Sequence, residues 1–215
     1  YYDGQGFMVK SSLGVSSALE LGGAAVCIQA GTTTELNLAD WGKQNGIDYQ
    51  SVVSDTNAQT LTNYDSGRCD VLTTDASGLY SMRAAANDPS EHVVLPEIIS
   101  KEPLGPVVRQ GDDQWFNIVR WSLNAMITAE ELGVTSATVD DVTNNPERER
   151  LMGRSGNTHE YVGLTPDWTY NIISQVGNYS ESFERNIGLN TPIGIARGVN
   201  ALWTDGGILY SPPFR

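Results

Sequence analysis

Between residues 24 and 96 the chain alternates strand-like runs with segments of helical spacing. The strand-like runs lie at 24–28, 49–53, 69–73 and 92–95, and helical segments begin within 32–34, at Ala58 and at Asp75. The resulting order β-α-β-α-β-α-β constrains the fold more than any other feature. It fits a mostly parallel sheet sandwiched by helices, an α/β fold. The best-defined unit is 24–41, AAVCIQAGTTTELNLADW. An apolar run ends at Gln29-Ala30-Gly31, three threonines follow, and Glu35, Leu36, Leu38 and Trp41 recur at helical spacing. Threonine is a favourable N-cap, so the helix starts within 32–34 and Gly46 is its expected stop.

A strand that runs through a glycine into a helix start can hold an anion. The first-turn N–H groups lack intrahelical acceptors, and the helix dipole favours negative charge there. One carboxylate fits such a site, although the same residues also describe an ordinary capped βα turn. Asp75 follows Thr73-Thr74 and opens the next helix, which places a carboxylate at the C-terminal edge of a parallel sheet. Thr33 belongs at the same edge. Together they form a clamp for a zwitterion: the helix start at Thr32 and Thr33 takes the carboxylate, and Asp75 takes the ammonium. The plainer role for Asp75 is an N-cap.

Elsewhere the pattern predicts a strand at 7–9, a short helical piece near 15–21 and an extended segment at 104–110. The longest helix spans 113–132, with Trp115, Ile118, Val119, Ser122, Met126 and Ala129 on one stripe and Gly133 as its stop. Helical regions follow at 139–152, interrupted by Asn144-Asn145-Pro146, at 167–178 and at 183–189. The tail, 188–215, is rich in Gly and Pro but too apolar for disorder. Its Trp203, Tyr210 and Phe214 read as anchors onto the body. Glu130-Glu131 and Asp140-Asp141 read as solvated helix ends.

Composition removes several function classes. A net charge of −13 opposes binding to nucleic acid. No apolar run approaches the roughly 18–20 residues of a membrane span, so the chain is not expected to be membrane-embedded. The chain opens on Tyr1-Tyr2-Asp3-Gly4 without a methionine, as expected of a processed or excised piece. Two histidines and two cysteines outside any CxxC pair give no metal site, and no cofactor motif is present. No Ser/His/Asp or Cys/His arrangement is evident, and Asp75-Ala76-Ser77-Gly78 is not a nucleophile elbow. Cys27 lies in one expected strand and Cys69 opens another; if those strands are neighbours they can pair, and otherwise they are two buried thiols.

The blocks QAGTTTELNLADW, YDSGRCDVLTTD, SKEPLGPVVRQGDDQW, QVGNYSESFERNIG and RGVNALWTDGGILYSPPFR, in this order, resemble the periplasmic general (polar) L-amino-acid-binding proteins of ABC importers. The resemblance runs through the whole chain. It implies a type II periplasmic-binding-protein fold, in which two α/β lobes joined by crossing strands close on a ligand. Residues 1–9 then resemble the first crossing strand and 10–103 a complete α/β second lobe. Residues 104–215 resemble the return crossing, a helix of the first lobe and a C-terminal extension. Thr33, with Thr32 beside it, falls on the position that meets the ligand α-carboxylate, Asp75 on the aspartate for the α-ammonium, and Gln29 near the ligand side chain. The resemblance further implies a Cys27–Cys69 disulfide, since the periplasm is oxidising. Family members carry a further segment ahead of residue 1 that builds most of the first lobe, with an arginine and an aromatic residue for the ligand. The expected function is therefore a non-enzymatic receptor that captures L-amino acids and presents them to a membrane permease. The alternatives are a dehydratase-like periplasmic enzyme of the same fold and a ligand-sensing module.

Overall fold

A computed structural model describes residues 1–141 and 144–215, which form two units, Tyr1–Leu104 and Gly105–Arg215. The first contains β1 (Tyr2–Asp3), β2 (Gln5–Lys10), β3 (Ala25–Gln29), α1 (Thr33–Asn45), β4 (Gln50–Ser54), α2 (Asn57–Asp65), β5 (Val71–Asp75), α3 (Ala76–Ala85), β6 (His92–Val94) and β7 (Glu102–Pro103). Five strands form one sheet in the order β4-β3-β5-β2-β6, and β1 pairs antiparallel with β7 in a separate two-stranded ribbon. Strand β3 is parallel to β4 and β5, the geometry that helical crossovers produce. Strand β2 is antiparallel to both its neighbours, β5 and β6. The sheet is therefore mixed: β3, β4, β5 and β6 share a direction and β2 opposes them.

Helices cover both faces. Successive residues of β2 enter different clusters, as the two-residue period of a strand requires. Phe7 and Val9 join Val26, Ile28, Leu38 and Val71, with Trp41 of α1 packed alongside. Met8 joins Cys27, Leu72, Tyr64 of α2 and Leu79 of α3. Phe7, Met8 and Val9 are each no more than 1% exposed, as expected for a strand covered on both faces. Helix α1 ends at Gly46, whose φ of 67° is the left-handed conformation that favours glycine. The helical piece near 15–21 is a short 3-10 turn, Ala18–Glu20.

Cys27 and Cys69 are joined in a disulfide with Cα atoms 5.7 Å apart. The strand expected at 69–73 begins at Val71, so Cys69 lies in the turn before it. There Asp70 pairs with β3, accepting from the Ala25 N–H through its carboxylate and donating its own N–H to the Ala25 carbonyl.

The second unit is helical: α4 (Asp113–Glu131), α5 (Pro146–Leu151), α6 (Thr158–Val162), α7 (Trp168–Val176) and α8 (Tyr179–Asn186). The carboxylate of Asp112 caps α4 by accepting from the Trp115 N–H. The C-terminal half of α4 is packed on two sides. Ala125 and Ala129 meet Leu151, Met152, Trp168, Ile173 and Phe214, while Ile127 meets Leu202 and Leu209. The expected stripe holds for Ile118, Met126 and Ala129, but Trp115 at its start is 51% exposed. The region expected at 139–152 becomes helical only from Pro146, which occupies the first turn behind an Asn145 cap. Residues 142 and 143 of that expectation lie outside the described residues. Helix α8 begins at Tyr179, earlier than expected, because Asn178 and Glu181 form a reciprocal capping box. Helix α6 was not foreseen.

Two further expectations are corrected here. Glu130 is not a solvated helix end: both its oxygens accept from Arg197 Nη2, at 2.9 and 3.1 Å. Burial outweighs the pull of Arg197 and raises its carboxyl above the usual range. In the tail, Ile195, Leu202, Leu209 and Phe214 are the buried anchors. Trp203 and Tyr210 are exposed and pack edge-to-face on each other. Closing a loop between residues 42 apart stabilises the fold by about 4 kcal/mol through the lost entropy of the unfolded chain. Chemical denaturation with and without reductant is therefore expected to show a loss of that order, and the Cys27→Ala/Cys69→Ala variant should be insensitive to reductant.

Candidate functional site

One edge of the first unit's sheet collects the ends of β3 and β5 together with the start of β2. At the end of β3 the chain turns through Gly31, whose φ is 66°. Thr32 holds the N-cap position of α1 with an extended backbone, φ −109° and ψ 161°. Its hydroxyl does not cap the helix. It donates instead to the Gln29 carbonyl at 2.9 Å and closes the turn. The Glu35 carboxylate turns back to accept from the Gly31 N–H at 3.1 Å. Thr33, exposed, is the first residue of the helix, where backbone N–H groups have no intrahelical acceptor. Gln29 Nε2 donates to the Asp55 carbonyl at 3.2 Å and ties the end of β3 to the loop after β4.

Asp75 ends β5 and stands at the N-cap position of α3, but its side chain makes no cap hydrogen bond. Asp3, on β1, does that work. Its carboxylate accepts from the Ser77 N–H at 3.4 Å, from the Ser77 hydroxyl at 2.5 Å and from the Gly4 N–H at 2.9 Å. The Ala76 N–H donates to the Gly4 carbonyl at 2.8 Å. Burial raises the Asp75 carboxyl above the usual aspartate range, and the negative charges of Asp3 and Glu102 add to the effect.

Gln5, the first residue of β2, pairs in register with Asp75 and is fully buried. Its Nε2 donates to the Thr34 carbonyl in the first turn of α1 at 3.1 Å and to Thr73 Oγ1 on β5 at 2.9 Å. Thr73 in turn donates to the Gly6 carbonyl at 2.7 Å. Gln5 Oε1 is buried without a partner. Glu102 on β7 accepts from Ser100 Oγ at 2.7 Å and from Asn37 Nδ2 of α1 at 3.4 Å.

Thr32, Thr33 and Asp75 thus share one sheet edge, with Gln29 at the foot of the turn. Asp3 and Gln5 were missed by sequence reasoning. The available signal was their spacing of two ahead of the apolar Phe7-Met8-Val9, which places two polar residues on alternate positions as the chain enters a strand. Among the described residues no group of three His, Cys, Asp or Glu is placed to hold a metal, and no helix is long and apolar enough to cross a membrane. His92 bonds Tyr64 through Nδ1 at 3.0 Å and pairs with Lys10, at the other end of β2.

The sheet edge thus carries the first-turn amides of α1 after one strand and, at the end of the next, a carboxylate that makes no cap hydrogen bond. No family model matches the chain. It is 59% identical over 219 residues to the general L-amino acid-binding periplasmic protein AapJ of Rhizobium johnstonii. It is 55% identical over 218 residues to the glutamate/glutamine/aspartate/asparagine-binding protein BztA of Rhodobacter capsulatus. Both alignments cover all of this chain and 64% of the relative. A solved structure described as an ABC transporter/periplasmic binding protein from Brucella ovis with glutathione bound superposes with a TM-score of 0.96 at 51% identity, covering all of this chain and 69% of that one. The chain belongs to the periplasmic binding proteins of ABC transporters, and it spans 64% of the length of its curated relatives.

Buried Gln5 makes a stability prediction. Gln5→Leu removes the hydrogen bonds donated to the Thr34 carbonyl and to Thr73 Oγ1, each contributing about 1 kcal/mol. Urea denaturation is expected to show a loss of about 2 kcal/mol.

Proposed function

We propose that this protein is a solute-binding receptor that captures L-amino acids by their head group and delivers them, in the periplasm, to the membrane permease of an ABC importer. The observation that carries this reading is the Asp75 carboxylate. It is half-buried, makes no cap hydrogen bond, and stands one strand away from the free amides at the start of α1. The helix start at Thr32 and Thr33 receives the α-carboxylate, and Asp75 receives the α-ammonium. In this reading the sheet-bearing unit, Tyr1–Leu104, is one lobe, and its β1–β7 ribbon belongs to the crossing between lobes. Residues 105–215 contribute to the other lobe, whose side-chain pocket sets preference.

The similar proteins support the head-group assignment. One is named for L-amino acids in general, one for glutamate, glutamine, aspartate and asparagine, and a third holds glutathione. Glutathione retains, on its γ-glutamyl end, an ammonium and a carboxylate on one carbon. That pair is the chemistry common to all three.

Calorimetric titration of the full-length protein with aspartate, glutamine, arginine and glutathione tests the proposal, with N-acetylglutamate and glutamate α-amide as controls. The unmodified head groups should bind and both controls should fail. Asp75→Asn should lose about 1.5–3 kcal/mol, a charge-assisted hydrogen bond, or roughly ten- to a hundredfold in affinity. Binding needs ionised Asp75, whose pKa is raised in the free protein. Affinity is therefore full above that raised pKa and falls as the pH drops through it, at a higher pH than an ordinary aspartate would give. The ligand ammonium favours the ionised form, so binding near that pH releases a proton. N-acetylglutamate binding as tightly as glutamate would overturn the assignment.

A further inference from the structure

We propose that Asp3 is a positioning residue for the ligand: by capping α3 in place of Asp75 it keeps the Asp75 carboxylate uncommitted and available to a ligand's cationic group. The inference rests on the head-group reading of Asp75. An aspartate at a helix N-cap ordinarily turns its side chain back onto the amide of the second or third helical residue. At α3 the segment before β2 has already taken the leading donors. Ala76 N–H goes to the Gly4 carbonyl, and Ser77 gives both its N–H and its hydroxyl to Asp3. With a further bond from the Gly4 N–H, both oxygens of the Asp3 carboxylate accept from the chain itself. Asp3 is thus placed to hold the helix rather than the ligand.

Two features keep this arrangement in place. A Cβ on Gly4 would lie 2.6 Å from the Ser100 carbonyl oxygen and 2.3 Å from Ile98 Cγ2, so only glycine lets the chain pass there. The pairing of Asp3 with Glu102 and of Gln5 with Asp75 then fixes Asp3 from both sides. The charged groups around Asp75 are Asp3 on β1 and Glu102 on β7; Ser77 of α3 and Gln5 of β2 are neutral, and Glu35 of α1 is turned onto the Gly31 amide.

The experiment compares Asp3→Ala and Asp3→Asn in the full-length protein. It measures amino-acid affinity against pH and follows the Asp75 carboxyl titration by NMR. In Asp3→Ala the Asp75 side chain is free to cap α3. Affinity should fall tenfold or more, and the Asp75 titration should move to lower pH, through a new hydrogen bond and the loss of a neighbouring charge. Asp3→Asn keeps the cap through its amide oxygen. It should stay within about threefold of wild-type affinity while its titration also moves down. Adding Asp3→Ala to Asp75→Asn should cost no further affinity, since Asp3 acts through Asp75. Wild-type affinity in Asp3→Ala, an unmoved Asp75 titration, or additive losses in the double variant would each overturn the proposal. Should the wild-type protein bind no amino acid, the head-group reading fails by itself. The NMR titration then still decides whether Asp3 governs Asp75.

Discussion

The reversal of β2 is the constraint on which the first unit depends. In an all-parallel sheet every strand would start at one edge and finish at the other, and the edge where strands finish would receive strand exits alone. Because β2 runs the other way between β5 and β6, its beginning meets the end of β5, with Gln5 opposite Asp75. Everything just ahead of β2 is delivered to that edge as well. Asp3 and Gly4 reach the start of α3, and Gln5 reaches the first turn of α1. Side chains far apart in sequence are thereby assembled without a long loop. The β1–β7 ribbon is paired at the same place, through Asp3 and Glu102.

Electrostatics at that edge are arranged by separation. The start of α1 presents unpaired amides, and its nearest acid, Glu35, is spent on the Gly31 amide. Around β5 the balance is opposite: Asp75, Asp3 and Glu102 gather negative charge in a half-buried setting that raises the Asp75 carboxyl. On the proposed reading, these two ends, one strand apart, take the two charges of a zwitterion. The charged pair of the second unit, Glu130 with Arg197, has a different character. Arg197 also donates to the Asn200 carbonyl and lies over the Phe183 ring at 5.1 Å, which fastens the segment around 197–200 onto α4 and α8.

Much of the first unit was legible because its signals are local. Apolar runs, a threonine cap and Gly46 each report on a few neighbouring residues, and α1, β4 and α2 formed close to where those signals placed them. Thr32, Thr33 and Asp75 could be set at one sheet edge for the same reason, since a strand leading into a helix fixes where its last residue lies. What escaped is non-local. That Asp3 caps α3, or that Gln5 reaches both Thr34 and Thr73, follows only from strand order, and no window of sequence carries strand order. The direction of β2 was hidden likewise, because FMV reads the same in either direction. In the second unit the Asn178–Glu181 capping box was a local signal overlooked. The burial of Glu130 was not local, for it depends on Arg197, which lies far along the chain.

The disulfide bears on how β5 is held. Cys27 lies within β3 and Cys69 just ahead of β5, so a covalent strut joins the two strands whose ends carry the opposed charges. Strand neighbours stand about 4.8 Å apart, and the strut allows them little freedom to shear or spread. The strut meets β5 ahead of its first residue, whereas Asp75 is its last, so the covalent tie and the charged edge lie at opposite ends of the strand. Reduction would release the strand at the end remote from Asp75.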